Sequence, residues 1–244
     1  MTYTVGSLFA GIGGFDLGFE RAGFDVAWQV ELDPYCRRVL RKHWPDARRW
    51  DDVRTFPPDP LEDWRVDVLV GGFPCTDISY AGNRAGLAGA HSGLWREMVR
   101  TFRLVRPKFW CVENVAALLT LGMGTVLGDM AESGCDAEWD CVPASAFGAH
   151  HQRDRVFITA HSTDADCLRS QGEWSPPQGT WSREQFEGLV QAILRTALPA
   201  GTSGGVSDGA PSRLHRLRAL GNAVVPQVAE FVARRVKATL EATT

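Results

Sequence analysis

The chain reads as an α/β protein built on a doubly wound, mostly parallel sheet. Three observations predict this. Short apolar, strand-like runs alternate with amphipathic helical segments from residue 4 to about residue 160. The first run enters a glycine-rich turn at residues 10–14 (Ala-Gly-Ile-Gly-Gly) that opens a helical segment. The second run ends on an acid, Glu31.

Composition sets the outer limits. The chain has 244 residues, enough for one full core and a small appended module. Its hydrophobic fraction of 44% and charged fraction of 23% exclude disordered and collagen-like classes. Residues 1–6 lack a basic leader, and no apolar run is long enough to span a bilayer, which predicts a cytoplasmic protein. The six cysteines include no C-x-x-C pair and are expected as free thiols. Cys135, Cys141, His150 and His151 fit none of the usual zinc spacings, so no metal site is expected. A net charge of −3 argues against a general nucleic-acid binder, although residues 150–155 and 213–218 are basic.

Taken in order, residues 4–9 form the first expected strand and 15–22 the first helix. No Gly-Lys-Ser/Thr follows the glycines, which excludes a phosphate P-loop; the turn suits close backbone approach to a nucleotide-like ligand, or is simply a tight turn. Residues 25–30 read as a second strand, and an acid at its tip suits a pair of ribose hydroxyls. Pro34 opens a basic helix reaching His43, whose arginines read as a solvated face. Residues 51–53 (Asp-Asp-Val) close a short strand and offer an acceptor to an adenine amino group.

Residues 66–70 form a buried strand ending in a glycine pair, after which Pro74 holds Cys75 in a turn. This is a candidate thiolate nucleophile, the alternative being a buried structural cysteine. A glycine-rich loop at 80–93 follows, then a helix at 94–105. The strand at 108–112 delivers Glu113, Asn114 and Val115, placing a carboxylate beside the cysteine turn; otherwise Glu113 is an acid at the start of the next helix. A helix at 123–133 and strands at 137–142 and 155–161 follow, and a last helix runs from residue 224 to about residue 240. Residues 162–212, rich in Ser, Gly, Pro and Trp with one amphipathic helix at 184–198, read as a small inserted module.

These segments together resemble the DNA cytosine-5 methyltransferase family. Residues 7–15 (Ser-Leu-Phe-Ala-Gly-Ile-Gly-Gly-Phe) resemble its first cofactor motif, 72–75 (Gly-Phe-Pro-Cys) its nucleophile motif and 113–115 its Glu-Asn-Val motif. Residues 152–156 (Gln-Arg-Asp-Arg-Val) are similar to its arginine-rich motif, and 221–226 (Gly-Asn-Ala-Val-Val-Pro) to its C-terminal motif. The resemblance implies a Rossmann-like methyltransferase fold, with 1–161 and 213–244 forming the catalytic domain and 162–212 a short target-recognition insert. It implies S-adenosylmethionine as cofactor, bound by Phe9, Gly11, Gly13, Glu31, Leu32, Asp52, Val53, Leu94, Asn222 and Val224.

The same resemblance implies a catalytic role for Cys75, Glu113, Arg153 and Arg155, and substrate contacts from Pro74, Ser79 and Asn114. The implied reaction adds the thiolate to C6 of a flipped-out cytosine so that C5 accepts a methyl group. Double-stranded DNA is the implied partner, with either a cognate restriction endonuclease or, for an orphan phage enzyme, none. Relatives acting on tRNA cytosine, or a non-catalytic DNA-binding relative, are the alternatives. His151, Thr76, His91 and Ala223 depart from the family's commonest residues without removing a catalytic group.

Overall fold

The computed structural model describes residues 2–59, 63–74, 93–147, 153–162 and 223–242. Cys75, Ser79, the loop following them, residues 150–152, the insert with its expected helix, and Asn222 lie outside the described residues.

Seven strands form one sheet: β1 (Thr4–Leu8), β2 (Asp25–Val30), β3 (Arg48–Trp50), β4 (Val68–Gly71), β5 (Phe109–Val115), β6 (Cys135–Pro143) and β7 (Asp154–Ser162). Their spatial order is β3-β2-β1-β4-β5-β7-β6. The first five are parallel, whereas β7 runs antiparallel to both β5 and β6. The sheet is therefore mostly parallel. Winding reverses between β1 and β4, the switch point at which such sheets open a ligand crevice beyond their C-terminal ends.

Apolar residues fall on both faces of the central strands, as expected of strands covered from two sides. Val5, Val68, Val70 and Cys111 pack under helices α1 (Gly14–Arg21) and α6 (Pro226–Ala242). Leu8, Leu69, Trp110 and Val112 pack under α3 (Gly93–Val105), α4 (Leu118–Leu121) and α5 (Met123–Glu132). Helix α2 (Pro34–His43) begins as its sequence dictates: Pro34 fills the first turn, and the Asp33 carboxylate accepts from Tyr35 N at 2.6 Å and Cys36 N at 3.4 Å.

The last helix is bound to the first by close backbone approach. A Cβ at Gly18 would lie 2.5 Å from the Ala229 Cβ and 2.6 Å from Glu230 N, so only glycine permits this crossing. Lys237 Nζ closes the junction by donating to Ala22 O at 3.0 Å. The C-terminal helix thereby packs on the N-terminal half of the sheet.

Most boundaries shift by a residue or two from the sequence reading, and two of the differences bear on the site. The short strand stops at Trp50, and residues 51–53 lie beyond it; Asp52 instead caps a 3-10 turn, Val53–Thr55, by accepting from Arg54 N at 3.0 Å. Strand β5 continues through Glu113, Asn114 and Val115 rather than stopping at residue 112. Its antiparallel partner explains the extension, since β7 pairs Phe157, Val156 and Arg155 with those three residues.

Candidate active site

Three strand ends build the site: β1 with its glycine turn, β4 with residues 72–74, and the C-terminal half of β5. Glu113 is only 8% exposed. Removal from water pushes its carboxyl up from 4.5 to about 7, against the opposing pull of Arg155 and then Arg153. Arg155 Nε stands 3.0 Å from Glu113 Oε1. The β5–β7 register explains the pairing: Arg155 lies opposite Val115, which puts its side chain on the same face as that of Glu113.

Gly72 lies directly beside this carboxyl. A Cβ at Gly72 would stand 2.8 Å from Glu113 Oε2, so the backbone leading to Cys75 lies against the acid. Buried Asn114 fixes the same turn, its Nδ2 donating to Phe73 O at 3.1 Å while its Oδ1 accepts from Val115 N at 2.8 Å. Phe73 packs against Trp95 of α3, ring centroids 5.1 Å apart, and Pro74 is exposed. Arg153 occupies a left-handed conformation, φ 40, and donates from Nη2 to Ala223 O at 2.9 Å. The arginine-rich segment is thus tied to the residue three before α6.

Around the glycine turn, Phe9, Gly11 and Gly13 all have positive φ (52, 58 and 89). Glu31 holds that turn: its Oε2 accepts from Gly11 N and its Oε1 from Asp33 N, both at 2.7 Å. Burial raises its carboxyl above the ordinary value, and the two backbone N–H groups oppose the rise. Leu32, next in sequence, is 61% exposed, while Phe9 and Leu94 pack against the α3-side core. Val53 is buried. The Asp52 carboxylate receives Arg54 Nε at 2.9 Å and Nη2 at 2.8 Å, so an adenine amino group would share that carboxylate with Arg54. Val224 packs on the α1–α6 side.

This set fits a nucleoside-bearing cofactor. The open backbone at Gly11, where a Cβ would meet nothing within 4 Å, adjoins an acid and an exposed leucine. Among the described residues no cluster of three or more His, Cys, Asp or Glu is arranged to hold a metal ion. None of their helices is long and apolar enough to cross a membrane.

The sheet order, the switch-point crevice and the acid on β5 define a Rossmann-like methyltransferase fold. The structure of the Entamoeba histolytica methyltransferase EhMeth shares it, with a TM-score of 0.67 at 12% identity, covering 98% of this chain and 99% of that one. Sequence gives the narrower assignment: residues 3–197 match the model of the C-5 cytosine-specific DNA methylases, and the chain belongs to that family. It is 35% identical over 169 residues to the type II methyltransferase M1.HphI of Haemophilus parahaemolyticus, covering 65% of this chain and 45% of that protein. It is 34% identical over 165 residues to the type II methyltransferase M.CviJI of Paramecium bursaria Chlorella virus IL3A, covering 67% of this chain and 44% of that protein. The chain spans under half the length of these two curated relatives.

Three features of the site were not read from the sequence. One is the bond from Arg153 Nη2 to the Ala223 carbonyl, 70 residues away in the chain. Another is the buried Asp16, hydrogen-bonded by Gln29 Nε2 at 2.9 Å and Ser7 Oγ at 3.3 Å beneath the glycine turn. The third is Arg100, whose position on the polar flank of α3 gives no signal of its partners.

Proposed function

We propose that the protein methylates C5 of cytosine in double-stranded DNA, using S-adenosylmethionine and a covalent bond between Cys75 and C6. The observation carrying this reading is the buried Glu113, with its carboxyl at about 7 and Arg155 at 3.0 Å, beneath the turn that leads to Cys75. At neutral pH such a carboxyl is available as a proton donor.

In this reading the Cys75 thiolate attacks C6 of an extruded cytosine, forming an S–C bond and shifting the ring electrons towards N3. Glu113 donates a proton or a strong hydrogen bond there, leaving an enamine whose C5 carries the nucleophilic electron pair. S-adenosylmethionine, when bound, supplies an electrophilic methyl group on its sulfonium. Loss of the C5 proton to water with expulsion of the thiolate, and return of the N3 proton to the Glu113 carboxylate, then restore the aromatic ring and free Cys75. When Glu113 is protonated, the Arg155 charge is uncompensated and would favour the Cys75 thiolate. Glu31 would hold the ribose and the Asp52–Val53 pair the adenine, with Leu32 beside them and Gly11 giving the methionine portion backbone access. The insert at 162–212 would carry target recognition, and the base must leave the helix to reach Cys75, at roughly a few kcal/mol of lost stacking and pairing.

Incubation with labelled cofactor and either duplex DNA or tRNA tests the substrate, and label in the DNA is expected. Duplex DNA containing 5-fluorocytosine is expected to trap a covalent adduct with the wild-type protein and none with Cys75→Ala. An adduct formed equally by both proteins would refute the assignment of the nucleophile.

A further inference from the structure

We infer that Arg100 is a positioning residue for the adenine end of the cofactor pocket, locking residues 52–56 against helix α3. Its Nη2 donates to Val53 O at 2.7 Å and Phe56 O at 2.6 Å, and its Nε to Glu97 Oε2 at 2.7 Å. The two carbonyls belong to the 3-10 turn and the residue that follows it, so one guanidinium spans both ends of that turn. Bonds from a charged donor to buried carbonyls are stronger than neutral ones, and Glu97 removes much of the freedom the long side chain would otherwise keep.

The segment needs such a fastening. Between Trp50 and Val68 the described chain contributes no strand to the sheet. Phe56 anchors it from the apolar side, its ring centroid 4.7 Å from Trp28 and 5.0 Å from Trp64. Trp50 Nε1 donates to Thr55 Oγ1 at 2.9 Å, and Thr55 Oγ1 donates to Asp52 O at 3.1 Å, which orders the turn internally. Of these ties, Arg100 is the one that reaches α3. That helix also carries Leu94, so Arg100 sets the distance between Leu94 and the Asp52–Val53 pair, residues that would flank one bound ligand. The inference rests on the cofactor reading given under Proposed function.

The test measures binding of S-adenosylhomocysteine by isothermal titration, together with KM for S-adenosylmethionine and kcat at saturation. Arg100→Met is expected to weaken binding about tenfold or more and to raise KM by the same factor, since a charged donor to two carbonyls is lost. With the pocket loosened but the reacting groups intact, kcat should stay within about twofold. Arg103 lies on the same helix and donates from Nε to Ser133 Oγ at 3.1 Å; Arg103→Met should leave the affinity unchanged. Arg100→Lys keeps the charge and can reach one carbonyl, so it should lose affinity severalfold; if Arg100→Met does not fold, this variant decides. Wild-type affinity in Arg100→Lys or in folded Arg100→Met, or an equal loss in Arg103→Met, overturns the positioning role and leaves the cofactor reading standing. Failure of the wild-type protein to bind the nucleoside at all removes both.

Discussion

Replacing Glu113 by Gln should make the protein more stable above neutral pH while abolishing most of its activity. The carboxyl has a folded-state value of about 7 against 4.5 when exposed, with burial as the dominant cause. The sign follows from proton counting. Between 4.5 and 7 the folded state holds a proton that the unfolded chain releases, so stability falls as pH rises through that window. The full difference is worth about 3 kcal/mol, most of it between pH 5 and 8. The glutamine side chain of Glu113→Gln is isosteric and uncharged, and the Arg155 side chain, 23% exposed, can turn to water once its partner is neutral. Urea unfolding of both proteins at pH 5 and pH 8 should therefore show the variant gaining over the wild type by roughly 2–3 kcal/mol across that range. Methyl transfer at pH 7 should drop by roughly 10²–10⁴-fold, the usual contribution of a positioned acid. A stability difference that stays flat from pH 5 to 8 would show that Glu113 does not titrate in this range and would remove the case for its being a neutral donor.

Three further outcomes follow from single contacts. Gly72→Ala places a methyl group 2.8 Å from Glu113 Oε2 and should slow adduct formation on 5-fluorocytosine DNA at least about tenfold with little change in fold, read by burst kinetics and circular dichroism. Gly18→Val drives a branched side chain into Ala229 and the Glu230 backbone; it should cost at least about 3 kcal/mol and release the C-terminal helix, which limited proteolysis would detect. Glu31→Ala frees Gly11 N and Asp33 N; titration with S-adenosylhomocysteine should show affinity lowered at least about tenfold, with a smaller change in kcat at saturating cofactor.

The layout of the fold was legible because most elements announce their own ends. Asp33 followed by Pro34 marks the start of α2, and the apolar runs in β2 and β4 carry no competing period. Parallel pairing of β4 with β5 also puts Gly72 next to Glu113, as expected of neighbouring strand tips. What escaped notice depends on partners distant in sequence. Strand β5 runs past residue 112 because β7 pairs with it, and Arg153 reaches a carbonyl 70 residues away, that of Ala223. Arg100 reaches across 47 residues to Val53, and a helical period says nothing about the far end of a long polar side chain. The Asp52 carboxylate, read as a ligand acceptor, is shared with Arg54 two residues away, a local bond that propensity rules do not report.

Local preference and final structure disagree in few places, and those places are informative. Among the described residues other than glycine, Phe9, Arg106 and Arg153 adopt positive φ, a conformation that costs of order 1–3 kcal/mol and persists only where surroundings impose it. Arg106 has an ordinary cause, since it follows the last residue of α3 and its N–H still donates to Phe102 O at 2.8 Å. The other two do not end helices. Phe9 sits in the glycine turn, and Arg153 immediately precedes β7, beside the paired Arg155 and Glu113. Asp16 is fully buried beneath the same turn, its carboxyl pushed up to about 6 by burial despite hydrogen bonds from Gln29 and Ser7. At the opposite end of the sheet, Asp67 is both hydrogen-bonded and ion-paired, receiving Thr4 N at 2.8 Å and Lys108 Nζ at 3.0 Å. Strained backbone and poorly hydrated acids therefore gather where the parallel strands β1 and β5 end and antiparallel β7 begins. A fold selected for stability alone would carry glutamine in place of Glu113. Keeping the costlier residues in one crevice is what an acid–base site requires, because a carboxyl can be neutral beside a guanidinium only where water is excluded.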